Sequence, residues 1–220
     1  HLIVRPDQMV EEFKKCLALA KHVMETLGLQ NDVTYVLAKW DPENRKKYIG
    51  EAEVWEETQQ HIREMLTELE IPFIEEVGGA AFYGPKVDIN AKNVYGKEDT
   101  MITVQWEALL AAQFDMYYVD QNGEKVRPYI IHRTSMGCYE RTLAWLIEKY
   151  EGKFPTWLAP VQVKIIPVNN EFHLEYAKNV FKKLEDLGIR CEIDDRDEKL
   201  GYKMREAQMK KIPYQLVLGD

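Results

Sequence analysis

Lys86-Val87-Asp88-Ile89-Asn90-Ala91 and, one short loop later, Met101-Ile102-Thr103-Val104-Gln105-Trp106-Glu107 decide how this chain reads. From Lys86 to Ala91 and from Ile102 to Glu107 polar and apolar side chains alternate, which is the period of a β-strand with one buried face. Val87, Ile89, Ile102, Val104 and Trp106 form an apolar face that predicts a sheet packed on helices. The other face carries Lys86, Asp88, Asn90, Thr103, Gln105 and Glu107. A polar face is ordinarily a solvated one. The bulk of Val104 and Trp106, however, predicts a central strand, and a central strand with a polar face reads as a binding floor.

The same sheet extends in both directions. Upstream, residues 1–5 read as the end of a strand. Met9, Phe13, Leu17, Ala20, Met24 and Leu27 recur at helical spacing and stop at Gly28. A strand follows over 32–39, a second helix over 51–69, and a strand beginning at Pro72-Phe73-Ile74. Downstream, segments 114–119 and 127–134 flank Asp120-Gln121-Asn122-Gly123, and Asn-Gly is the strongest short hairpin signal. A helix over 136–150 closes this part. The order predicts an antiparallel sheet with flanking helices, an α+β fold. Gly152 to Pro160, with its prolines, marks a boundary. Beyond it the order is strand (161–168), helix (171–187), strand (189–194), helix (199–211), strand (214–218), which predicts an incomplete βαβαβ unit with a parallel sheet. The domains expected are thus 1–156 and 161–220.

Composition excludes several classes. Of 220 residues, 45% are hydrophobic and 30% charged, the balance of a globular protein. No apolar run approaches the ~20 residues needed to span a bilayer. The net charge of −8 argues against a chain that coats nucleic acid along its whole surface. Cys16, Cys138 and Cys191 are odd in number and far apart, so a disulfide scaffold is not expected and the cytoplasm is the default compartment. The apolar start at Leu2-Ile3-Val4 and the strand-like end at Tyr214 to Gly219 read as a fragment cut at both ends.

Four stretches are candidates for chemistry. Gly78-Gly79-Ala80-Ala81-Phe82-Tyr83-Gly84-Pro85-Lys86 nearly matches a phosphate-binding loop. Pro85, however, stands where the lysine belongs and lacks the N–H a phosphate cradle needs. It is either a tight turn between two strands or a loop holding Tyr83 and Lys86 over a ligand. The polar strand face, with Thr103 and Gln105, is the second. The third is Ile131-His132-Arg133-Thr134-Ser135-Met136-Gly137-Cys138-Tyr139-Glu140-Arg141. Here Thr134 or Ser135 is expected to cap a helix whose N-terminus favours an anion, with Arg141 one turn in. Arg141 paired with Glu140 on the surface, and His132 simply packed, are the plain alternatives. The fourth is 196–211, with six basic and three acidic residues, either a solvated helix face or a local nucleic-acid contact.

Taken together, Ala81-Phe82-Tyr83-Gly84-Pro85-Lys86, Thr103-Val104-Gln105, Arg127 to Arg133, Gly137-x-x-Glu140-Arg141, Phe154 to Pro160 and Asp194 to Lys203 resemble the threonyl-tRNA synthetases, over nearly the whole chain. Gly137 to Arg141 resembles motif 3 of class II synthetases. The resemblance implies a class II catalytic domain followed by an anticodon-binding domain. It implies activation of threonine with ATP and Mg2+ to threonyl-adenylate, and transfer to the 3′ end of threonine tRNA, in a homodimer. It implies a zinc ion held by one cysteine and two histidines. His1 and His132 match the histidines, and the cysteine would lie upstream. By the same resemblance, Tyr83 lines the threonine pocket and Lys86 lies near carboxylate or phosphate. Thr103 and Gln105 form the floor, Arg141 holds ATP phosphate with Cys138 beside it, and Asp197 and Arg205 lie near the anticodon.

The sequence departs from the family at Cys138, where Ser is frequent, at Thr100, where Gln is common, and at Trp106-Glu107-Ala108, where Leu-Asp-Phe is frequent. Motif 1 and the motif 2 arginine would precede His1, so this stretch by itself is expected not to catalyse the reaction. A non-catalytic paralogue that binds tRNA or a metabolite is the competing reading. A proline- or histidine-type relative is disfavoured by the segment Pro128 to His132.

Overall fold

The computed structural model describes residues 1–219. Two compact units cluster as His1–Thr142 and Leu143–Asp220. The strands and helices of the first, in chain order, are β1 (Leu2–Val4), α1 (Met9–Thr26), β2 (Val33–Lys39), α2 (Ala52–Glu68), β3 (Phe73–Val77), β4 (Lys86–Lys92), β5 (Glu98–Glu107), α3 (Leu110–Gln113), β6 (Tyr118–Val119), β7 (Lys125–Val126) and β8 (Tyr129–Arg133). Helix α4 (Tyr139–Tyr150) begins in the first unit and continues into the second.

Six strands form one sheet in the order β1-β8-β5-β4-β2-β3. All pairs are antiparallel except β2 with β3. Helix α1 packs over β5 and β8, and α2 over β2. Phe13, Leu17 and Met24 of α1, and Ile62, Met65 and Leu66 of α2, are buried against the apolar sheet face of Val87, Ile89, Ile102, Val104 and Ile131. The ring of Phe13 lies 6.0 Å from that of Trp106. The period-two pattern therefore puts Lys86, Asp88, Thr103, Gln105 and Glu107 on the face away from the helices. Beside the sheet, Trp40, Tyr48, Trp55 and Ala80 make a separate small core.

Three sequence expectations change here. The loop 78–85 contains a tight turn between Ala81 and Gly84 but does not join neighbouring strands, because β2 lies between β3 and β4 and the loop crosses past it. The Asn-Gly hairpin is real but only two residues long on each side: β6 pairs with β7, while β8 leaves to join β5 and β1. The helix after β8 starts at Tyr139, not at 136. Gly137 explains the delay. It has φ of +80°, and a Cβ there would stand 1.8 Å from the Met101 carbonyl oxygen, so the chain makes a left-handed turn pressed on β5 before a helix can begin.

The second unit holds β9 (Val163–Pro167), α5 (Asn170–Asp186), β10 (Cys191–Ile193), α6 (Leu200–Met209) and β11 (Tyr214–Leu218). Its three strands are parallel in the order β10-β9-β11, as the alternating pattern predicts. Ile165 and Ala177 are fully buried in its core, with Phe181, Leu184 and Ile193 around them. No helix among the described residues is long and apolar enough to cross a membrane.

Candidate active site

The register of the sheet assembles the site. Lys86 of β4 is opposite Gln105 of β5, and Gln105 is opposite His132 of β8. Side chains directly opposite on one face are neighbours, so residues far apart in sequence form one row. Leu2 pairs with Ile131, which brings His1 beside His132, and the two rings meet edge to face at 4.8 Å. Asp88, opposite Thr103, accepts from Thr103 Oγ1 at 2.6 Å and pairs with Lys86 Nζ at 2.5 Å. The Lys86 ammonium is therefore held in place rather than free.

The loop 78–85 forms a wall over this row. Trp106 N donates to the Pro85 carbonyl at 3.2 Å. A Cβ at Gly84 would lie 2.0 Å from the Trp106 carbonyl oxygen, so only glycine lets the loop seat against the strand end. Seated this way, Tyr83 donates its hydroxyl to Gln105 Oε1 at 3.0 Å, and its ring lies 6.0 Å from that of His132. Burial pushes the Tyr83 hydroxyl above its ordinary value, so it stays a donor.

Glu107 is the residue sequence reasoning underrated. It lies on the polar face yet is completely buried. Oε1 accepts from the backbone N–H groups of Leu109 and Leu110, which open α3. Oε2 has no partner and faces His132 Nε2, also buried and without a partner, at 3.9 Å. Gln105 Nε2 is a third buried orphan in the same row. Burial raises the Glu107 carboxyl and lowers His132, which favours a neutral imidazole. Buried polar atoms are nearly always satisfied, so adjacent orphans mark a place for a guest. An imidazole lone pair and a carboxylate oxygen facing each other suit a cation or a proton donor.

This bears on the expected zinc. Among the described residues no group of three or more His, Cys, Asp and Glu is arranged to hold a metal ion. His132, with an orphaned Nε2, and the adjacent His1 fit two ligands of a set that needs a third.

Arg141 lies in the first turn of α4 and donates Nη1 to the Thr100 carbonyl at 2.6 Å, across to β5. It does not pair with Glu140, whose carboxylate instead accepts from Cys138 Sγ at 3.0 Å and is lowered by that contact. Thr134 and Ser135 precede the helix by several residues and do not begin it. Thr103, Gln105, Tyr83, Lys86, His1 and His132 are thus brought together. Cys138 and Arg141 are carried by the motif that follows β8. Asp197 and Arg205 belong to the second unit.

A family model described as "tRNA synthetase class II core domain (G, H, P, S and T)" matches residues 1–150. The chain belongs to the class II aminoacyl-tRNA synthetases. A second family model, "Anticodon binding domain", matches residues 162–220. The threonine–tRNA ligase of Clostridium botulinum (strain Eklund 17B / Type B) is 54% identical over 220 residues, covering all of this chain and 34% of that protein. The threonine–tRNA ligase of Halalkalibacterium halodurans is 50% identical over the same span, again 34% of its length. The chain thus spans about a third of the length of the curated relatives it matches. Among solved structures, the RNA binding domain of threonyl-tRNA synthetase from Cryptosporidium parvum Iowa II superposes with a TM-score of 0.86 at 30% identity, covering 99% of this chain and 53% of that one. A putative threonyl-tRNA synthetase from Aeropyrum pernix gives 0.78 at 26% identity, covering 98% and 51%.

In this class II synthetase chain the second unit arranges charge differently. Asp194, just after β10, is buried and grips Arg196 with both oxygens, at 2.8 and 2.7 Å. Arg196 also pairs with Glu206 of α6 at 2.5 Å. The Arg196 contact lowers the Asp194 carboxyl, and the same pairing raises the guanidinium. Asp197 and Arg205 are exposed around this ion network. The basic count of 196–211 therefore overstates the free positive charge.

Proposed function

We propose that the chain is the part of a threonine–tRNA ligase that selects threonine, helps form threonyl-adenylate and begins the anticodon-binding domain. The observation that carries this reading is the row Lys86–Gln105–His132, walled by Tyr83 and flanked by His1, in a chain 54% identical to a threonine–tRNA ligase. The domain boundary is placed at 157–160, with the catalytic part in 1–156 and the anticodon-binding part in 161–220.

In the first step the threonine carboxylate attacks the α-phosphorus of ATP and pyrophosphate leaves. In the second a 3′-terminal hydroxyl of threonine tRNA attacks the adenylate carbonyl and AMP leaves. Neither step calls for a strong base, so positioning and charge stabilisation carry the rate. Arg141 has five donors and commits one to Thr100, leaving its fork for ATP phosphate. Lys86, fixed by Asp88, presents a steady positive charge to the threonine carboxylate or phosphate. Tyr83 and Gln105 form a linked pair of polar groups in the amino-acid pocket, above Thr103, and Cys138 stands beside Arg141 at the ATP side. Mg2+ accompanies ATP.

A zinc ion held by His132, His1 and a cysteine outside this chain would supply an open position for the threonine amino and hydroxyl groups. Valine is nearly isosteric but lacks the hydroxyl, and a site built to hold that hydroxyl rejects it far better than an apolar pocket does. Asp197 and Arg205 serve the anticodon. The assembly is a homodimer of the cytoplasm.

The test is threonine-dependent ATP–pyrophosphate exchange by the synthetase that carries this chain, with valine, serine and proline as controls, with and without a zinc chelator. Exchange with threonine that excludes valine and fades with the chelator supports the reading. A folded, zinc-supplied protein without exchange would move the assignment to a non-catalytic paralogue.

A further inference from the structure

Lys203 is one of the few buried charged side chains, at 3% exposure. It sits in the first turns of α6, the helix that packs against β9. Its Nζ donates to the backbone carbonyl of Asp194 at 3.1 Å. No carboxylate accompanies it among the described residues. The ammonium satisfies a backbone carbonyl that an apolar side chain would leave without this donor. Lys203 therefore acts on the group it holds.

The next carbonyl is held as well. Asn170, in the first turn of α5, donates Nδ2 to the Asp195 carbonyl at 2.6 Å, and its Oδ1 is buried without a partner. Two successive carbonyls are thus clamped by side chains from two different helices. On the strand side, Asp194 N donates to Ile165 O of β9 at 2.8 Å. The clamp fixes the exit of β10 at the carboxyl end of the parallel sheet, the edge where open α/β sheets present ligand-binding loops. The segment that leaves this clamp carries Asp197 and leads into α6, which carries Arg205.

We propose that Lys203 and Asn170 are positioning residues for RNA recognition. They do not touch RNA; they fix the backbone from which Asp197 and α6 are presented. The inference rests on the reading that this edge meets the anticodon.

Lys203→Met in the synthetase that carries this chain tests it, with Lys203→Arg and Asn170→Ala beside it. Four quantities are read: the melting temperature, threonine-dependent pyrophosphate exchange, KM and kcat for cognate tRNA, and the same constants for a tRNA with one anticodon base replaced. The expected result for Lys203→Met is a melting temperature lowered by no more than a few degrees, roughly the scale of one hydrogen bond, and unchanged exchange. KM for cognate tRNA rises roughly fivefold, the scale of one lost hydrogen bond, with kcat unchanged. Discrimination against the altered tRNA falls, Lys203→Arg recovers part of it, and Asn170→Ala moves KM the same way. An unchanged KM overturns the proposal. So does a KM rise with equal losses on both tRNAs that Lys203→Arg does not recover, which would make Lys203 part of the fold alone. Asp197→Ala and Arg205→Ala separate the two levels. If they too leave KM unchanged, the location of the RNA site is wrong. If they raise it and Lys203→Met does not, only the positioning role is wrong.

Discussion

Glu107 and Asp194 are both buried carboxylates at the carboxyl end of a strand, and their surroundings are opposite. Asp194 meets a guanidinium with both oxygens and is held below the usual carboxylate range. Glu107 meets two backbone N–H groups with one oxygen, leaves the other bare beside an equally bare imidazole nitrogen, and is pushed up. A satisfied buried charge belongs to the frame of a fold. An unsatisfied one, set among other orphans, belongs to a site completed by something else. On the proposed reading, the first pattern frames a surface for a macromolecule, and the second lines a pocket for a small guest.

Four substitutions would break or sharpen that contrast, all made in the synthetase that carries this chain. Arg141→Ala should have the largest effect, a fall of ~10²–10³ in pyrophosphate-exchange rate, the scale seen when one transition-state donor is removed, with tRNA KM unmoved. On the proposed reading, Glu107→Gln removes the negative charge that faces the His132 nitrogen offered to the metal and should cost roughly 10-fold or more in zinc retention or threonine activation. Metal analysis after dialysis reads the first and exchange kinetics the second, and no change in either would make Glu107 a helix cap only. Asp194→Asn should leave exchange intact and lower the melting temperature of the second unit by roughly 4–8 °C.

Glu75 gives the smallest effect. Arg63, then Lys39, hold its carboxyl down to about 2 from an ordinary 4.5. A folded-state value below the unfolded one means its contribution is present above the ordinary value and lost as pH falls from about 4.5 toward 2. Parent and Glu75→Gln should therefore differ by no more than about 1 kcal/mol in urea unfolding at neutral pH, and converge in acid.

Much of this was legible in the residues. Period two in 86–91 and 102–107 fixes both the strands and the face that carries the candidate site, because alternation is a local property of the backbone. The parallel sheet of the second unit follows from its alternating elements. The register was not legible: that His132 stands opposite Gln105 depends on β8 choosing β5 and β1 over the hairpin, a choice made by burial of Ile131 rather than by the Asn-Gly turn. The late start of α4 depends on Gly137 meeting Met101 across the sheet. The orphaned oxygen of Glu107 could not be read because it depends on which groups α3 supplies. The charge of 196–211 misled for the same reason, since Arg196 is committed to Asp194 and Glu206.

The small aromatic core beside the sheet has a practical consequence. Trp40 and Trp55 are stacked at 5.9 Å with 16° between their planes, and Tyr48 stands edge-on to both. The Tyr48 hydroxyl and Lys47 Nζ both donate to the carbonyl of Gly78, where the Tyr83 loop begins. Two indoles so close and so nearly parallel couple their excited states, and their near-ultraviolet circular dichroism depends steeply on the angle between them. The chain therefore carries an intrinsic optical reporter at the root of the loop that bears Tyr83, readable without label or substitution.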